Sequence, residues 1–255
     1  MPLRRLLSAT TIRFPMALTA TPDGVLLVDK AAGMTSHDVV ALVRRQLQIK
    51  KVGHCGTLDP IATGLLILTL GRGTKIQDLL MSEDKEYVGT LSLGKTTDTQ
   101  DRAGQVTAER PVPELTGENV RAAFEKFCGD FYQMPPMVSA IKQGGVPLYK
   151  LARQGKVVER EPRLVHVYRY SIDRVASPEI DFTVLCSKGF YVRTYAHDIG
   201  EMLGCGAHLQ ELRRTRSGRF DLARAVTVEE IKTADPVDIL SKILTLPEVS
   251  RMRGA

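Results

Sequence analysis

One aspartate stands out in the stretch GHCGTLDPIATGLLILTLG, which runs from Gly53 to Gly71. Asp59 follows a glycine-containing turn and precedes a run of apolar residues. Pro60 has a fixed φ and disfavours the helical region for the residue before it, so we expect Asp59 on a rigid, extended turn. Such a turn can hold a reactive carboxylate, but an aspartate before proline also commonly accepts bonds from nearby backbone amides. The stretch alone is compatible with both interpretations.

Tyr191 and Arg193 in the segment KGFYVRTY are residues that could complement this carboxylate. Side chains alternate along a strand, so we expect these two to point to the same side of one strand. A guanidinium beside a carboxylate orients it and favours its ionised form, which suits a nucleophile or a base. A tyrosine adds a flat surface for a base or sugar ring. Two unconnected core or surface residues are the alternative that the spacing leaves open.

Other catalytic chemistries find little support in the motifs. The segment GRGTKI lacks the closing GK[ST] of a phosphate loop, and DTQDRAGQ lacks the ligand pattern of a calcium loop. His54, His197 and His208 have no metal-site spacing, and the four cysteines form no CxxC pair. The sequence therefore predicts no metal site and no disulfide framework, which fits a reducing compartment.

Composition and charge describe a globular chain with a basic surface. Of its 255 residues, 43% are hydrophobic and 25% charged, and the formal net charge is +6. Basic residues cluster within 142–169 and 213–219, where they could follow phosphates or simply form solvated surfaces. No apolar segment approaches the length of a membrane span. The length allows one large domain, and a polyanion is a plausible partner.

The periodicity of apolar residues predicts the elements that position these side chains. Strands are predicted in GVLLVDK, GLLILTLG, EYVGTLSLG, RLVHVYRYSIDRV, EIDFTVLCS and GFYVR. Helices are predicted in TKIQDLL, in TYAHDIGEMLG, and after the capping residues Ser36, Thr116 and Thr227. We expect an exposed loop with at most one helical turn in QMPPMVSAIKQGGVPLYKLARQGK. The predicted class is α+β, with a large mixed, mostly antiparallel sheet flanked by helices and loops.

Five segments occur in the same order as in a known family: DKAAGMTSHDVV, GHCGTLDPIATGLL, KEYVGTLSLGKTTDTQDRAGQ, QMPPMVSAIKQGGVPLYKLARQG and CSKGFYVRTYAHDIGEMLGCGAHLQELRR. The chain resembles the tRNA pseudouridine synthase B family from Gly24 to Glu248. This resemblance implies the pseudouridine synthase fold. It also implies an isomerase that converts uridine 55 in the T loop of tRNA to pseudouridine, by base flipping and aspartate-dependent isomerisation of the glycosidic bond, without a cofactor.

The resemblance also assigns roles to residues. Asp59 corresponds to the catalytic aspartate, Arg193 to the arginine paired with it, and Tyr87 to a tyrosine that stacks on the target base and acts as a base. His54 corresponds to a histidine that fills the gap left by the flipped uridine. The residues implied in substrate binding are His54, Tyr191, Leu212, Lys30, Asp98, Lys142 and Arg153. Ordinary packing for Leu212 and a surface charge for Lys30 are the alternatives.

The predicted organisation follows the same resemblance. We expect a disordered or targeting-like extension over residues 1–23, a catalytic domain over 24–248 whose segment 133–156 closes over RNA, and a tail over 249–255. The small RNA-binding domain of the PUA type that many members carry is not expected. Ala31 replaces the family's usual proline after Lys30, and Cys55 stands where a hydroxyl or small residue is common.

The T stem-loop of tRNA is the expected partner, with no membrane and no obligatory protein partner. We expect a monomer in the cytoplasm, although residues 1–22 also weakly resemble an organellar targeting peptide. Two alternative functions are a protein that binds or folds tRNA without modifying it, and a guide-RNA-dependent pseudouridine synthase. Pseudouridine formation without a guide RNA would argue against the guide-RNA-dependent synthase.

Overall fold

A mixed sheet of eleven strands forms the centre of the protein in the computed structural model, which describes residues 22–139, 141–148, 151, 154 and 158–254. Its strands are β1 Gly24–Lys30, β2 Val52–Cys55, β3 Thr63–Leu70, β4 Lys85–Leu93, β7 Gly129–Gln133, β10 Arg163–Ala176, β11 Glu179–Cys186, β12 Ala207–Ser217, β13 Phe220–Asp221, β14 Val226–Thr227 and β15 Leu244–Thr245. Two small hairpins lie outside it, formed by β5 Lys95–Thr97 with β6 Val106–Glu109 and by β8 Lys142–Gln143 with β9 Val146–Pro147.

Seven helices flank the sheet in the described part of the chain. They are α1 Ser36–Leu47, α2 Gln77–Met81, α3 Gly117–Glu125, α4 Val192–Met202, α5 Val228–Thr233, α6 Pro236–Ser241 and α7 Leu246–Arg253. A 3-10 turn, Gly71–Ile76, precedes α2. None of the described helices is long and apolar enough to cross a membrane.

The strand order is β14-β1-β3-β12-β4-β11-β10-β7, with β2, β13 and β15 attached at the side. Neighbouring strands are antiparallel except for β1 with β14 and β3 with β12, which are parallel. The prediction of an α+β fold with a mixed, mostly antiparallel sheet is confirmed. Strand β12, from the last fifth of the chain, lies between β3 and β4, so residues distant in sequence meet at the centre.

The sheet is apolar on both faces where β1 and β3 lie. Leu66 and Leu68 pack into the larger core, which also holds α1, α3 and α4, whereas Leu65 and Ile67 pack into a second core with Val249 of α7. This explains why the residues from Leu65 to Leu68 are continuously apolar instead of alternating. Burying each such side chain contributes roughly 1.5–3 kcal/mol.

Helix starts follow the predicted caps with one difference. Thr116 and Thr227 cap their helices through capping boxes, as predicted. The cap of α1 is Thr35 instead of Ser36, because the Thr35 hydroxyl accepts the Asp38 amide while the Asp38 carboxylate accepts the Thr35 amide. The Ser36 hydroxyl is thereby free to accept the amide of Leu58 at 2.9 Å. The start of α1 is thus tied to the segment that precedes Asp59.

The prediction of a strand in GFYVR is wrong. Residues 188–191 form a turn and α4 begins at Val192. Gly189 has φ +81°, which a strand does not allow, and the Tyr191 backbone bonds to the side-chain amide of Gln133 instead of to a neighbouring strand. The sequence analysis also predicted neither β2, β7, β12 and the two hairpins nor the short strands β13, β14 and β15 and the helices α6 and α7. The extension over residues 1–21 lies outside the described residues.

Candidate active site

Asp59 lies on the connection between β2 and β3, where it is held by backbone bonds. Its carbonyl accepts the Ala62 amide at 3.0 Å, and the next carbonyl, of Pro60, accepts the Gly33 amide at 2.8 Å. The Ser36 hydroxyl also accepts the Leu58 amide, so the turn is fixed on both sides of Asp59. The Asp59 side chain is 33% exposed, so its carboxylate faces solvent from a rigid base. The expected rigid turn is therefore present.

Arg193 joins the Asp59 carboxylate to two other segments. Its Nε is 2.8 Å from Asp59 Oδ2, while Nη1 donates to the Thr99 carbonyl at 2.9 Å and Nη2 to the Val138 carbonyl at 2.7 Å. The arginine side chain is only 5% exposed. A guanidinium with all three nitrogens engaged has one orientation, and it fixes the position of the Asp59 carboxylate in turn.

Asp101 is a second carboxylate near Arg193, and the sequence reasoning missed it. Its Oδ2 lies 3.9 Å from Arg193 Nε, and its Oδ1 accepts the Thr99 hydroxyl at 2.7 Å and the Ala103 amide at 3.0 Å. Asp98, which was predicted near the substrate, is exposed and accepts the Gln105 amide at 2.8 Å across the β5–β6 hairpin. Only the fold shows which of the two neighbouring acids faces the arginine.

A cleft of about 420 Å³ opens beside Asp59 and gathers several of the predicted residues. The described residues that line it are Gly56, Thr57, Leu58, Asp59, Met81, Lys85, Tyr87, Ser139, Ile141, Arg163, Ser187, Gly189, Phe190, Tyr191, Val192, Arg193, Leu212 and Arg214. Asp59, Tyr87, Tyr191, Arg193 and Leu212 thus meet in one place. A concave cleft that combines apolar walls with converging polar groups is typical of a small-molecule or nucleotide site.

The aromatic walls of the cleft come from different elements. Tyr87 lies on β4 and is 8% exposed, and burial raises its pKa while the neighbouring Arg214 charge lowers it. Tyr191 lies directly before α4, and burial raises its pKa as well. Tyr191 and Arg193 do share the cleft, but they do so at the start of a helix, not by alternation along a strand. Leu212 of β12, 8% exposed, contributes an apolar surface.

Lys30 and His54 do not line the cleft. Lys30 is fully buried, and its Nζ donates to the carbonyls of Ala31 at 3.0 Å and Met34 at 2.7 Å. Burial lowers the pKa of Lys30 to about 8, although the Asp59 charge opposes this. His54 on β2 packs edge-to-face on His37, with ring centroids 5.1 Å apart. Burial lowers the pKa of His54 to about 4, so its imidazole is neutral at pH 7.

Two predicted contacts cannot be placed. Arg153 and the side chain of Lys142 lie outside the described residues. Within the described segment near them, β8 and β9 form a short hairpin where only a loop was expected.

The cleft is electropositive. Its described lining includes four basic residues, Lys85, Arg163, Arg193 and Arg214, and one acidic residue, Asp59. Burial lowers the pKa of Lys85 to about 8. A positive, partly apolar cleft attracts anionic ligands. The described residues include no group of three or more His, Cys, Asp or Glu side chains that could hold a metal ion.

Comparison with known families gives two adjoining matches. Residues 44–192 match the model of the TruB family pseudouridylate synthase N-terminal domain, and residues 193–239 match that of the tRNA pseudouridylate synthase B C-terminal domain. The boundary falls at Arg193, the residue that pairs with Asp59.

Two similar curated proteins are named tRNA pseudouridine synthase B. A tRNA pseudouridine synthase B of Opitutus terrae is 54% identical over 229 residues, which cover 90% of this chain and 91% of that protein. Another, from Syntrophotalea carbinolica, is 50% identical and covers 90% of this chain and 75% of that protein.

Solved structures share the fold. A Cbf5-Nop10-Gar1 complex contains a chain with TM-score 0.69 and 28% identity, covering 90% of this chain and 62% of that one. An H/ACA RNP bound to a substrate RNA containing 2'-deoxyuridine gives TM-score 0.65 and 26% identity, with coverages of 87% and 58%. This chain thus spans about six-tenths of those chains, and the predicted pseudouridine synthase fold is confirmed. The sequence, the fold and the family matches agree that the chain belongs to the TruB family of pseudouridylate synthases.

Proposed function

We propose that this chain is a tRNA pseudouridine synthase that isomerises uridine 55 in the T loop, with Asp59 as the catalytic carboxylate. One observation carries the proposal: Asp59 is the only acidic residue among the described residues of the cleft, and Arg193 fixes its orientation. The name shared by the curated relatives supports tRNA as the substrate. The electropositive lining suits a polyanion.

The reaction needs a single carboxylate and a closed pocket. The bond from C1' to N1 of the uracil breaks, the base turns, and a new bond joins C1' to C5. The C5 proton then leaves, and N1 gains a proton, so no atom is added or lost overall. Asp59 either attacks C1', adds to C6 of the base, or removes a sugar proton. Each route needs the carboxylate close to the sugar and the base, which a rigid turn provides.

The walls of the cleft suit a flipped uridine. Tyr87 and Tyr191 offer ring surfaces and Leu212 an apolar contact, so a detached uracil is retained while it turns. Extruding a stacked base costs a few kcal/mol. His54, neutral at pH 7, is suited to stack in the gap that the base leaves. Lys30 supports the site through its bonds to backbone carbonyls.

Several further parts of the proposal concern RNA contacts and organisation. The segment 133–156, with Lys142 and Arg153, closes over the RNA and contacts phosphates, and Asp98 lies near the substrate loop. Residues 24–248 act as one catalytic domain, flanked by residues 1–23 and 249–255. The position of β12 between β3 and β4 supports a single domain, because the region from Arg193 onward completes the central sheet. The protein acts in the cytoplasm as a monomer.

Incubation of the purified protein with an unmodified tRNA transcript tests the proposal. We expect pseudouridine at position 55 alone, mapped by sequencing, without any guide RNA or added protein. Modification at another position would overturn the assigned target. Activity only after adding a guide RNA would favour the guide-dependent alternative, and tight tRNA binding without product would favour a tRNA-folding protein.

A further inference from the structure

The first turn of α4 borders the cleft and has no capping side chain. Tyr191 is the N-cap residue, but its side chain forms no capping hydrogen bond, and the first turn contains no acidic residue. The residues from Gly189 to Arg193 all line the cleft, so this helix terminus adjoins the space that Asp59 faces. The first amides of a helix lack partners within the helix, and together with the helix dipole they favour an anion. By itself such a terminus can simply be hydrated.

Ser139 adds a buried hydroxyl without a partner to the same cleft. The residue is 5% exposed, and its Oγ makes no hydrogen bond within the described part of the chain. Its backbone is held at the start of α4, because the preceding carbonyl, of Val138, accepts Arg193 Nη2 at 2.7 Å. A buried hydroxyl without a partner destabilises the free protein. We therefore expect a ligand to supply the missing partner.

Arg163 and Tyr191 add two further donors to this wall of the cleft. Arg163, at the start of β10, is exposed, lines the cleft and has no ion-pair partner in the described ranges. Burial raises the pKa of the Tyr191 hydroxyl, and the nearby Ser139 hydroxyl and Arg163 charge oppose that rise. The hydroxyls of Ser139 and Tyr191 are thus neighbours, although no hydrogen bond joins them. Both hydroxyls and the guanidinium are available to a ligand.

The chemistry of these groups favours a phosphate. A guanidinium, hydroxyls and the amides at a helix terminus are the donors that phosphate oxygens accept from in protein complexes with nucleic acids. The acid of the cleft does not occupy them, because Asp59 is paired with Arg193 Nε at 2.8 Å. The turn before α4 leaves room for a ligand, since a Cβ at Gly189 would have nothing within 4 Å. A uracil ring is neutral, whereas every nucleotide carries a charged phosphodiester.

We propose that the start of α4, together with Ser139 and Arg163, forms a phosphate subsite that binds the phosphodiester adjoining the flipped uridine. The inference rests on the proposed function, because it places a uridine in this cleft. No bond forms or breaks at the subsite. Its contacts hold the sugar in a fixed position relative to Asp59, which lies on a rigid turn of its own.

The test combines Arg163→Gln and Ser139→Ala with tRNA in which one phosphodiester, on the 5' or the 3' side of uridine 55, is replaced by an uncharged methylphosphonate. A 2'-O-methyl group on the nucleotide before that linkage keeps it stable, and the reference tRNA carries the same group with an ordinary phosphate. Arg121→Gln is the matched control, because this exposed arginine of α3 has no ion-pair partner in the part of the chain that the structure describes and does not line the cleft. Dissociation constants at several salt concentrations and melting temperatures are measured for every variant, and pseudouridine formation is measured on unmodified tRNA.

We expect Arg163→Gln to weaken tRNA binding about 10-fold and to reduce the slope of log Kd against log salt concentration by about 0.7–0.9, the value of one phosphate contact. Ser139→Ala should weaken binding about fivefold without lowering the melting temperature, because it removes a group that has no partner in the free protein. When the contacted linkage is a methylphosphonate, each substitution should weaken binding by less than about twofold, since the lost contact is the same.

Three results would each overturn the subsite. They are losses that multiply fully at both linkages, an Arg163→Gln protein that binds tRNA like Arg121→Gln, and a Ser139→Ala protein with a lower melting temperature and unchanged affinity. If Ser139→Ala does not fold, the Arg163→Gln cycle decides. Coupling to one linkage in a wild-type protein that forms no pseudouridine would overturn the proposed catalysis and leave the phosphate contact in place. Pseudouridine at position 55 without coupling would overturn the subsite alone.

Discussion

Replacing Arg193 by lysine tests the contacts through which this arginine holds Asp59 and the segments at Thr99 and Val138. Lysine keeps the charge, but its single nitrogen cannot reach all three acceptors that the guanidinium contacts, the Asp59 carboxylate and the carbonyls of Thr99 and Val138. If the ammonium stays with Asp59, two carbonyls lose their donor. Each buried acceptor left unsatisfied costs about 1–3 kcal/mol.

The two carbonyls together set a range of about 2–6 kcal/mol, and the expected loss of stability lies at its low end. Asp59 is one-third exposed, so water can reach the edge of the site and replace part of what is lost. We therefore expect about 2–3 kcal/mol, which lowers the melting temperature by roughly 5–10 °C for a chain of this size. The carboxylate also loses its fixed orientation, and a misplacement near 1 Å costs about 100-fold in rate.

Thermal unfolding and single-turnover formation of pseudouridine measure the two effects. Arg174→Lys is the matched control, because this exposed arginine of β10 also contacts two acidic residues, Asp181 and Glu179 of β11, and does not line the cleft. Its change should stay within about 0.5 kcal/mol. An Arg193→Lys protein with wild-type stability and a rate within about threefold of wild type would refute the assigned role of the guanidinium.

Two further predictions concern the backbone and pH. Gly64→Ala should destabilise the protein by more than about 3 kcal/mol in urea unfolding, because Gly64 has φ +97° and a Cβ would lie 2.2 Å from the Arg214 carbonyl oxygen. Gly204→Ala, at φ +81° with nothing within 4 Å, should cost only about 1–2 kcal/mol, and equal losses would contradict the steric argument. Burial lowers the pKa of His54 to about 4 from 6.5, so the unfolded state binds more protons between these values and stability should rise from pH 4 to pH 6.5. His54→Gln should remove that part of the pH dependence of the unfolding free energy, on the order of 3 kcal/mol between pH 4 and pH 6.5. An unchanged pH dependence would show that His54 is not buried as described.

Local signals in the sequence predicted the strands β1, β3, β4, β10 and β11 and the helices α1 to α5. Thr116 and Thr227 have capping-box partners three residues later, and such a pattern acts within one helical turn. The regular alternation of β11 buries Ile180, Phe182 and Val184 on one face, and that period is visible without the fold.

Two of the missed features, β12 and the turn before α4, depend on contacts between distant segments. Strand β12 contains bulges between Leu209 and Glu211 and between Arg214 and Arg216, which break its alternation, and it buries an arginine instead of an apolar residue. Periodicity therefore could not identify it, although it lies at the centre of the sheet. The turn before α4 likewise depends on Gln133, which bonds the Tyr191 backbone from another strand.

Some features of the candidate site could be predicted from local sequence, and others depend on the fold. The rigid turn at Asp59 was predicted locally, because Pro60 limits the backbone, but the catalytic role of Asp59 was implied only by the family resemblance. The contacts of Asp101 and Arg214 follow from the placement of the 95–105 segment and of β12, which no local pattern specifies. The family resemblance also implied the pairing of Asp59 with Arg193 that the structure shows. Tyr191 and Arg193 line one cleft although the strand predicted for them is absent, because α4 begins at Val192.

The central claim is that Asp59 performs the chemistry, and Asp59→Asn tests it most directly. The carboxamide keeps the shape of the side chain but removes its charge. Asp173→Asn serves as the control, because Asp173 is an exposed acid that accepts bonds from Ser171 and Thr183 at 2.7 Å on β10 and β11. The single-turnover rate of pseudouridine formation on tRNA is measured together with the dissociation constant. We predict no detectable product from Asp59→Asn, with tRNA affinity within about threefold of wild type and a control as active as wild type. Product at more than about one-tenth of the wild-type rate would contradict the account.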